Sequence, residues 1–350
     1  GGYHGHFDRL SIASFIKDNQ TFTNNEYAWY SYDSFLFKMW VQTSMAHNMV
    51  VVDGRMQMPA PCKCIYYHDG ADFKAVAAQT ISRWCDPPYG GQTPYPYIFP
   101  EEKCIREGRQ ILPPLQAREQ GAIGEYSEEV YAKRLLILFH GYCITWDYLE
   151  GTKEHDFDCL YHPHGVFRNE NNLKFDTYRE RFSEDPYNAG QFILHCYTAL
   201  CDGTVRLAFH DAQPRVNPND IIDFVKESAV WRVCPQVGEV TLARYPQSAD
   251  NFTAENIEQT RAYWHQGLKK TVSFHSHGTS ARFVTILEIG ENTDILKSAT
   301  MQKDGTLKLS EADGQEWTVS VEGMDARGEE IRVKVVREDY ENCVNTDKTE

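Results

Sequence analysis

Arg134-Leu135-Leu136-Ile137-Leu138-Phe139-His140-Gly141-Tyr142-Cys143-Ile144-Thr145-Trp146-Asp147 reads as two adjacent apolar strands with a glycine-containing turn between them. The pair belongs to a longer core segment, Tyr126 to Asp147, and leads into the histidine-rich run His155-Asp156-Phe157-Asp158-Cys159-Leu160-Tyr161-His162-Pro163-His164-Gly165. Cys64 to Asp69 and Phe73 to Thr80 have the composition of short strands, as do Gln191 to Tyr197, Val205 to Phe209, Ala229 to Arg232 and Glu239 to Ala243. Lys270 to Ile289 alternates apolar and polar residues in two runs, which predicts a hairpin. Beyond Gly290-Glu291-Asn292, turn signals at Asp304-Gly305, Ala312-Asp313-Gly314 and Ala326-Arg327-Gly328 separate further short strands.

Helical signals are sparse. Ile221 to Glu227 suits a helical turn, and Ala254 to Trp264 suits a short helix with Thr253 as its N-cap. Asp86 to Pro100 is a Pro/Gly/Tyr loop, and Arg109 to Gly124 continues as an insertion. The expected class is therefore all-β: a large antiparallel β-sandwich of the super-sandwich type over residues 1–290, with residues 291–350 forming a small β appendage and a polar tail.

With 350 residues the chain can bury a substantial core. Its formal charge of −15 and pI near 5.3 argue against wholesale binding to nucleic acid or to an anionic membrane. Local contact with an acidic polymer stays open, because screening confines charge effects to about 8–10 Å. No apolar run approaches the roughly 20 residues needed to span a bilayer. The 20 tyrosines, 18 phenylalanines and 7 tryptophans suit both strands and stacking on sugar rings. The 10 cysteines include no Cys-x-x-Cys pair, so a zinc ribbon is not expected, while disulfides and buried thiols are both open. Walker, nucleophile-elbow, dinucleotide and His-Glu-x-x-His signatures are missing from the sequence.

Titratable residues concentrate at the start of the chain. In Tyr3-His4-Gly5-His6-Phe7-Asp8-Arg9-Leu10-Ser11, an extended backbone would project His4, His6 and Asp8 from one face. A third histidine follows in Ala46-His47-Asn48, just before the strand-like Val50-Val51-Val52 and the turn Asp53-Gly54. Imidazoles beside a carboxylate are the raw material of a metal or acid–base site.

The run His4 to Ser11, followed by Ala46-His47-Asn48 and Val50-Val51-Val52-Asp53-Gly54, resembles the heparinase II/III-like family of polysaccharide lyases, which includes the oligo-alginate lyases. The resemblance implies an N-terminal (α/α) toroid followed by a β-sandwich that opens on the first motif, so this chain would be the sandwich without its toroid. It implies an exported or periplasmic enzyme that cleaves a uronate-containing polysaccharide by β-elimination. Such a reaction needs the sugar carboxylate neutralised, a base for the adjacent proton and an acid for the departing oxygen. Carried onto this sequence, His4 matches the histidine facing the substrate carboxylate, and Tyr32 best fits the tyrosine of proton transfer, ahead of Tyr27 and Tyr30. His6 and His47 match ligands of a structural zinc whose third ligand is an aspartate, but Asn24 stands at the aspartate position. A neutral amide is a poor replacement for that charge.

Each assignment has a plainer counterpart. His4 could be a hydrogen-bonded histidine at a domain seam, His6 and His47 could bond across strands without metal, and Tyr32 could line a sheet. Arg9, Arg55 and His162 are candidates for substrate contact, with a structural ion pair as the alternative for Arg9, and Arg134 is a further cation of the same kind. The cluster His155 to His164 suits buried, hydrogen-bonded histidines better than a cleft wall, and His275-x-His277 suits a solvated hairpin. The expected partners are an anionic polysaccharide and the helical domain, with a homodimer left open. A non-catalytic carbohydrate-binding or packing module and an unrelated sandwich epimerase are the rival functions. In the lyase reading, His4, His6 and His47 meet at an open edge.

Overall fold

The structure is a computed structural model that describes residues 6–17, 20–24, 40–86, 126–185, 188–210, 215–216, 222–223, 227–245, 269–290 and 295–338. In chain order the strands begin with β1 (Ser14–Lys17), β2 (Gln20–Asn24), β3 (Val50–Val52), β4 (Met56–Gln57), β5 (Cys62–Asp69), β6 (Lys74–Ser82) and β7 (Trp84–Cys85). They continue with β8 (Val130–Phe139), β9 (Tyr142–Tyr161), β10 (Val166–Arg168), β11 (Thr177–Arg181), β12 (Leu194–Cys201), β13 (Val205–His210), β14 (Arg215–Val216) and β15 (Ile222–Asp223). The last are β16 (Glu227–Arg232), β17 (Gly238–Tyr245), β18 (Lys269–Gly290), β19 (Leu296–Met301), β20 (Leu307–Glu311), β21 (Glu316–Glu322) and β22 (Arg332–Arg337). Among the described residues the only helical elements of three or more residues are the single 3-10 turns Ser44–Ala46 and Ala189–Phe192. The class is all-β, as the strand signals require.

Two long strands carry the architecture. β9 runs 20 residues and β18 runs 22, and they pair antiparallel along almost their whole length. β8, β6 and β5 extend the sheet beyond β9, while the far side of β18 is shared: its first half pairs with β17 and its second half with β16. β12 and β11 continue from β17, and β13 and β10 from β16. The resulting 12-stranded antiparallel sheet buries one apolar cluster that includes Phe157, Tyr161, Phe209, Val240, Val272 and Phe274.

The opposite face of β8, β9 and β18 is covered by the four-stranded sheet β19–β22. Leu135, Ile137, Ile144, Trp146 and Ile286 meet Leu296, Leu307, Leu309 and Val319 there. Each such side chain contributes about 1.5–3 kcal/mol on burial, so this seam is a genuine second core. Lys133, almost wholly buried, donates to the carbonyls of Gly323 and Ala326 and pins a turn of the smaller sheet.

The β8–β9 turn falls at His140-Gly141, both at positive φ (45° and 86°), as the glycine signal implied. Four sequence-based expectations are corrected. Lys270 to Ile289 is one strand rather than a hairpin: β9 offers a partner along its whole length, and Gly278 (φ 150°) absorbs the interruption as a bulge. Ile222 and Asp223 pair with Arg215 and Val216 as strand rather than forming a helical turn. Residues 6–10 are not extended; Ser11 N–H donates to Asp8 O and Leu10 takes φ 70° in a turn. His275 and His277 stand in mid-strand on β18 rather than on a hairpin. The expected helix Ala254 to Trp264 and the loop from Pro87 to Gly124 lie outside the described residues.

Candidate functional site

The N-terminal segment is held to the sheet by a small set of polar contacts. Phe7 N–H donates to Gln42 O (2.9 Å), Ser44 Oγ donates to Phe7 O (2.5 Å), and Gln57 N–H donates to Ser44 Oγ (2.8 Å). Asn48 bridges two elements, its Nδ2 donating to Ile12 O (3.0 Å) while its Oδ1 accepts from His162 N–H (2.8 Å). Beneath them Arg134 forms a buried, two-pronged ion pair with Asp147 (2.6 and 3.0 Å) and donates to Leu10 O and Asn48 O (2.8 Å each). Arg134 is therefore spent on structure rather than on substrate.

These contacts bring His6, His47, His162 and Asp8 together. The rings of His6 and His47 meet edge-on with centroids 5.2 Å apart. His6 Nδ1 lies 3.2 Å from Val41 O and His47 Nδ1 lies 2.6 Å from Thr43 O. A carbonyl only accepts, so both Nδ1 atoms carry the proton and each Nε2 keeps its lone pair when the ring is neutral. His47 Nε2 lies 3.6 Å from Asp8 Oδ2, and Asp8 also accepts from Ser11 Oγ (3.1 Å). His162 packs its ring against Tyr245 with centroids 4.7 Å apart.

Burial decides the charge of these rings. His47 is fully buried, and desolvation, outweighing the attraction of Asp8, lowers its pKa to about 4, with His6 adding a further push down. His162 falls to about 3, through burial first and the nearby His47 second. His6 is lowered by burial, against the pull of Asp8. Near neutral pH the cluster is a set of neutral imidazoles, unable to neutralise a carboxylate. His47 is sealed rather than set at an open edge, while His6 is partly buried.

The other candidates are placed differently. His4 and Tyr32, with Tyr27 and Tyr30, lie outside the described residues. Asn24 ends β2, opposite Ser14. Arg9 donates through Nε to Ala60 O (3.1 Å), and Arg55 faces Asp86 at 3.7 Å, so both are engaged on neighbouring loops. Two imidazole Nε2 atoms and one carboxylate resemble a metal-donor set, yet among the described residues no group of three or more His, Cys, Asp or Glu is arranged to hold an ion. The described donors alone do not fit a structural zinc. No disulfide joins the eight described cysteines, of which Cys62 and Cys64 are exposed.

A second titratable cluster lies along β9 and β18. His155 sits between two carboxylates, Nδ1 2.8 Å from Asp53 and Nε2 2.9 Å from Glu128. Desolvation acts against its charge, but the two hydrogen bonds prevail and its pKa is raised. Directly across the strands, His275 Nδ1 bonds Asp158 (3.2 Å) and His277 Nδ1 bonds Asp156 (2.8 Å). The signal was present as His275-x-His277 and Asp156-x-Asp158, and it needed the strand register to be read as pairs. A groove of about 800 Å³ opens beside them, lined by Asp53, Asp156, Asp158, Asp176 and Glu239 against Arg179 and His275. Its charge disfavours an acidic polymer.

Solved structures supply the remaining observation. The chain superimposes on the heparan sulfate lyase HepC of Pedobacter heparinus with a TM-score of 0.50 at 9% identity, over 96% of this chain. It has a heparinase-like fold. A mutant of the same lyase (TM-score 0.49, 10% identity) and a heparinase III gene product (TM-score 0.48, 10% identity) align over the same 96%. The chain spans 37% of the length of each of these proteins. No family model and no curated protein matches the sequence. No described helix is long and apolar enough to cross a membrane.

Proposed function

We propose that this chain is the sandwich portion of an exported or periplasmic polysaccharide lyase that cleaves a uronate-containing polymer by β-elimination. The supporting observation is the shared fold over 96% of the chain, together with the convergence of His6, His47 and Asp8 from the two segments that carry the family resemblance. In this reading His4 contacts the sugar carboxylate and Tyr32 serves proton transfer. The buried, neutral His47 and His162 position the loop of residues 40–48, His47 through Nδ1 to Thr43 O and His162 through its backbone N–H to Asn48 Oδ1, and take no part in the chemistry. His6, only partly buried and protonated on Nδ1, offers Nε2 as a proton acceptor when its ring is neutral. A helical domain completes the catalytic set, so the isolated 350-residue chain turns over poorly. A structural zinc would need Asn24 or residues beyond those described to complete the His6 and His47 pair.

The ultraviolet absorbance of unsaturated uronate tests the proposal. The full-length protein should generate it from at least one uronate polymer, and His4→Ala should abolish it with the fold intact. A second reading, a carbohydrate-binding or packing module, is favoured by the sealing of His47. Elimination unaffected by His4→Ala would count for it.

A further inference from the structure

Strand register places an unusual set of residues on one face of β11, β12, β17 and β18. Tyr178 is the cross-strand partner of Tyr197, Tyr197 of Leu242, and Arg244 of Lys270. Partners directly opposite in antiparallel strands project to the same side, and Leu242 and Arg244 are two apart on β17, so all five share the face on which Val240 and Val272 enter the core, with Arg244 and Lys270 at its strand-end margin. The two tyrosines are about half exposed (51% and 47%), with ring centroids 4.9 Å apart.

The aromatic pair is held in place. β12 carries a bulge between Leu194 and Tyr197, and within it His195 adopts φ 53°, a left-handed backbone in a residue that is not glycine. Bulges re-aim side chains, and such strain persists where the surroundings fix it. Here it brings His195 Nδ1 to 3.2 Å from the Tyr178 hydroxyl.

The cationic pair is equally unusual. Arg244 and Lys270 stand directly opposite each other, an arrangement that destabilises a sheet when both charges are alike. Arg244 is exposed, and among the described residues neither side chain has an ion-pair partner. Burial first, and the Arg244 charge second, lower the Lys270 pKa. The carboxylate on the same face of β11, Glu180, faces Arg181 at 3.7 Å. Strand spacing and rise put the Tyr197 and Arg244 backbones roughly 8 Å apart, about the span of a sugar ring and its acidic substituent.

We infer that Tyr178, Tyr197, Arg244 and Lys270 form a subsite for an acidic saccharide, the sugar ring lying on the tyrosines and its carboxylate or sulfate between the two cations. The inference rests on the polysaccharide reading and deepens it, because the histidine cluster holds no cation of its own and the groove beside His275 is acidic. Arg244 immediately precedes Tyr245, whose ring touches His162, so the subsite borders the histidine cluster on the reverse face of β17.

Calorimetric titration with a hexuronate oligosaccharide, a sulfated heparin oligosaccharide and a neutral cello-oligosaccharide tests this. The chain should bind at least one acidic probe, more weakly as salt rises, and bind the neutral probe far less. Arg244→Gln and Lys270→Gln together should weaken the acidic probe at least tenfold, and Tyr197→Ala should weaken it as well, with circular dichroism unchanged. Arg244→Gln alone, at an exposed position, guards against misfolding and should still reduce binding several-fold. Equal binding by these variants, or no acidic probe bound, would overturn the subsite. If the variants lose binding while no protein shows elimination, the subsite stands and the lyase reading falls. Elimination by the full-length protein with binding unchanged in the variants leaves the lyase reading standing and removes the subsite.

Discussion

Asp147→Asn should unfasten the N-terminal segment from the sheet. Asp147 and Arg134 are each at least 95% buried, joined by hydrogen bonds of 2.6 and 3.0 Å. Burial works to discharge Arg134, and Asp147 opposes it and holds the guanidinium above its ordinary value; without Asp147 the cation still persists, because a guanidinium is too basic to lose its proton in a protein. Breaking a buried pair by removing one member costs about 3–5 kcal/mol, because an uncompensated charge stays behind. At roughly 2 °C per kcal/mol for a chain of this size, the Tm should fall by about 6–10 °C. Glu322→Gln, which removes an exposed partner of Arg332, is the control and should change little. Arg134 also holds Leu10 O and Asn48 O, so hydrogen exchange should speed up first at Ile12 and around His47. A denaturant midpoint for Asp147→Asn within the range of the Glu322→Gln control would refute the role given to this pair.

Two further expectations concern pH. His155 has a raised pKa in the folded chain, so its contribution is complete below the unfolded value near 6.5 and is lost as pH climbs through the folded value. The stability gap between the wild type and His155→Gln should therefore be wider at pH 6 than at pH 9 in urea titrations; a constant gap would contradict the clamp. His47 and His162 have depressed values of about 4 and 3, so their contribution is complete above about 6.5 and is lost as pH falls towards those values. His162→Gln should flatten the loss of stability between pH 6.5 and 4, and an unaltered acid limb would count against a buried neutral ring.

The fold class was legible because strands announce themselves locally. Leu135 to Phe139, the His140-Gly141 turn and the glycine turns after residue 300 each stand where the composition placed them. The continuity of β9 and β18 was not legible, since Gly278-Thr279-Ser280 looks like a turn in isolation and becomes a bulge only because β9 runs opposite it. The His6 and His47 encounter could be anticipated from the resemblance, whereas the burial of His47 depends on Trp40, Met45 and their packing, which no local pattern encodes. Arg244 and Lys270 escaped notice for a similar reason: 26 positions apart in sequence, they become neighbours only through strand register.

The most direct test is the product formed by the full-length protein on a panel of uronate polysaccharides. Elimination predicts an unsaturated, ultraviolet-absorbing sugar at the new non-reducing end, and its disappearance in His4→Ala. New chain ends without that absorbance, or no cleavage of any uronate polymer by the folded protein, would contradict the account.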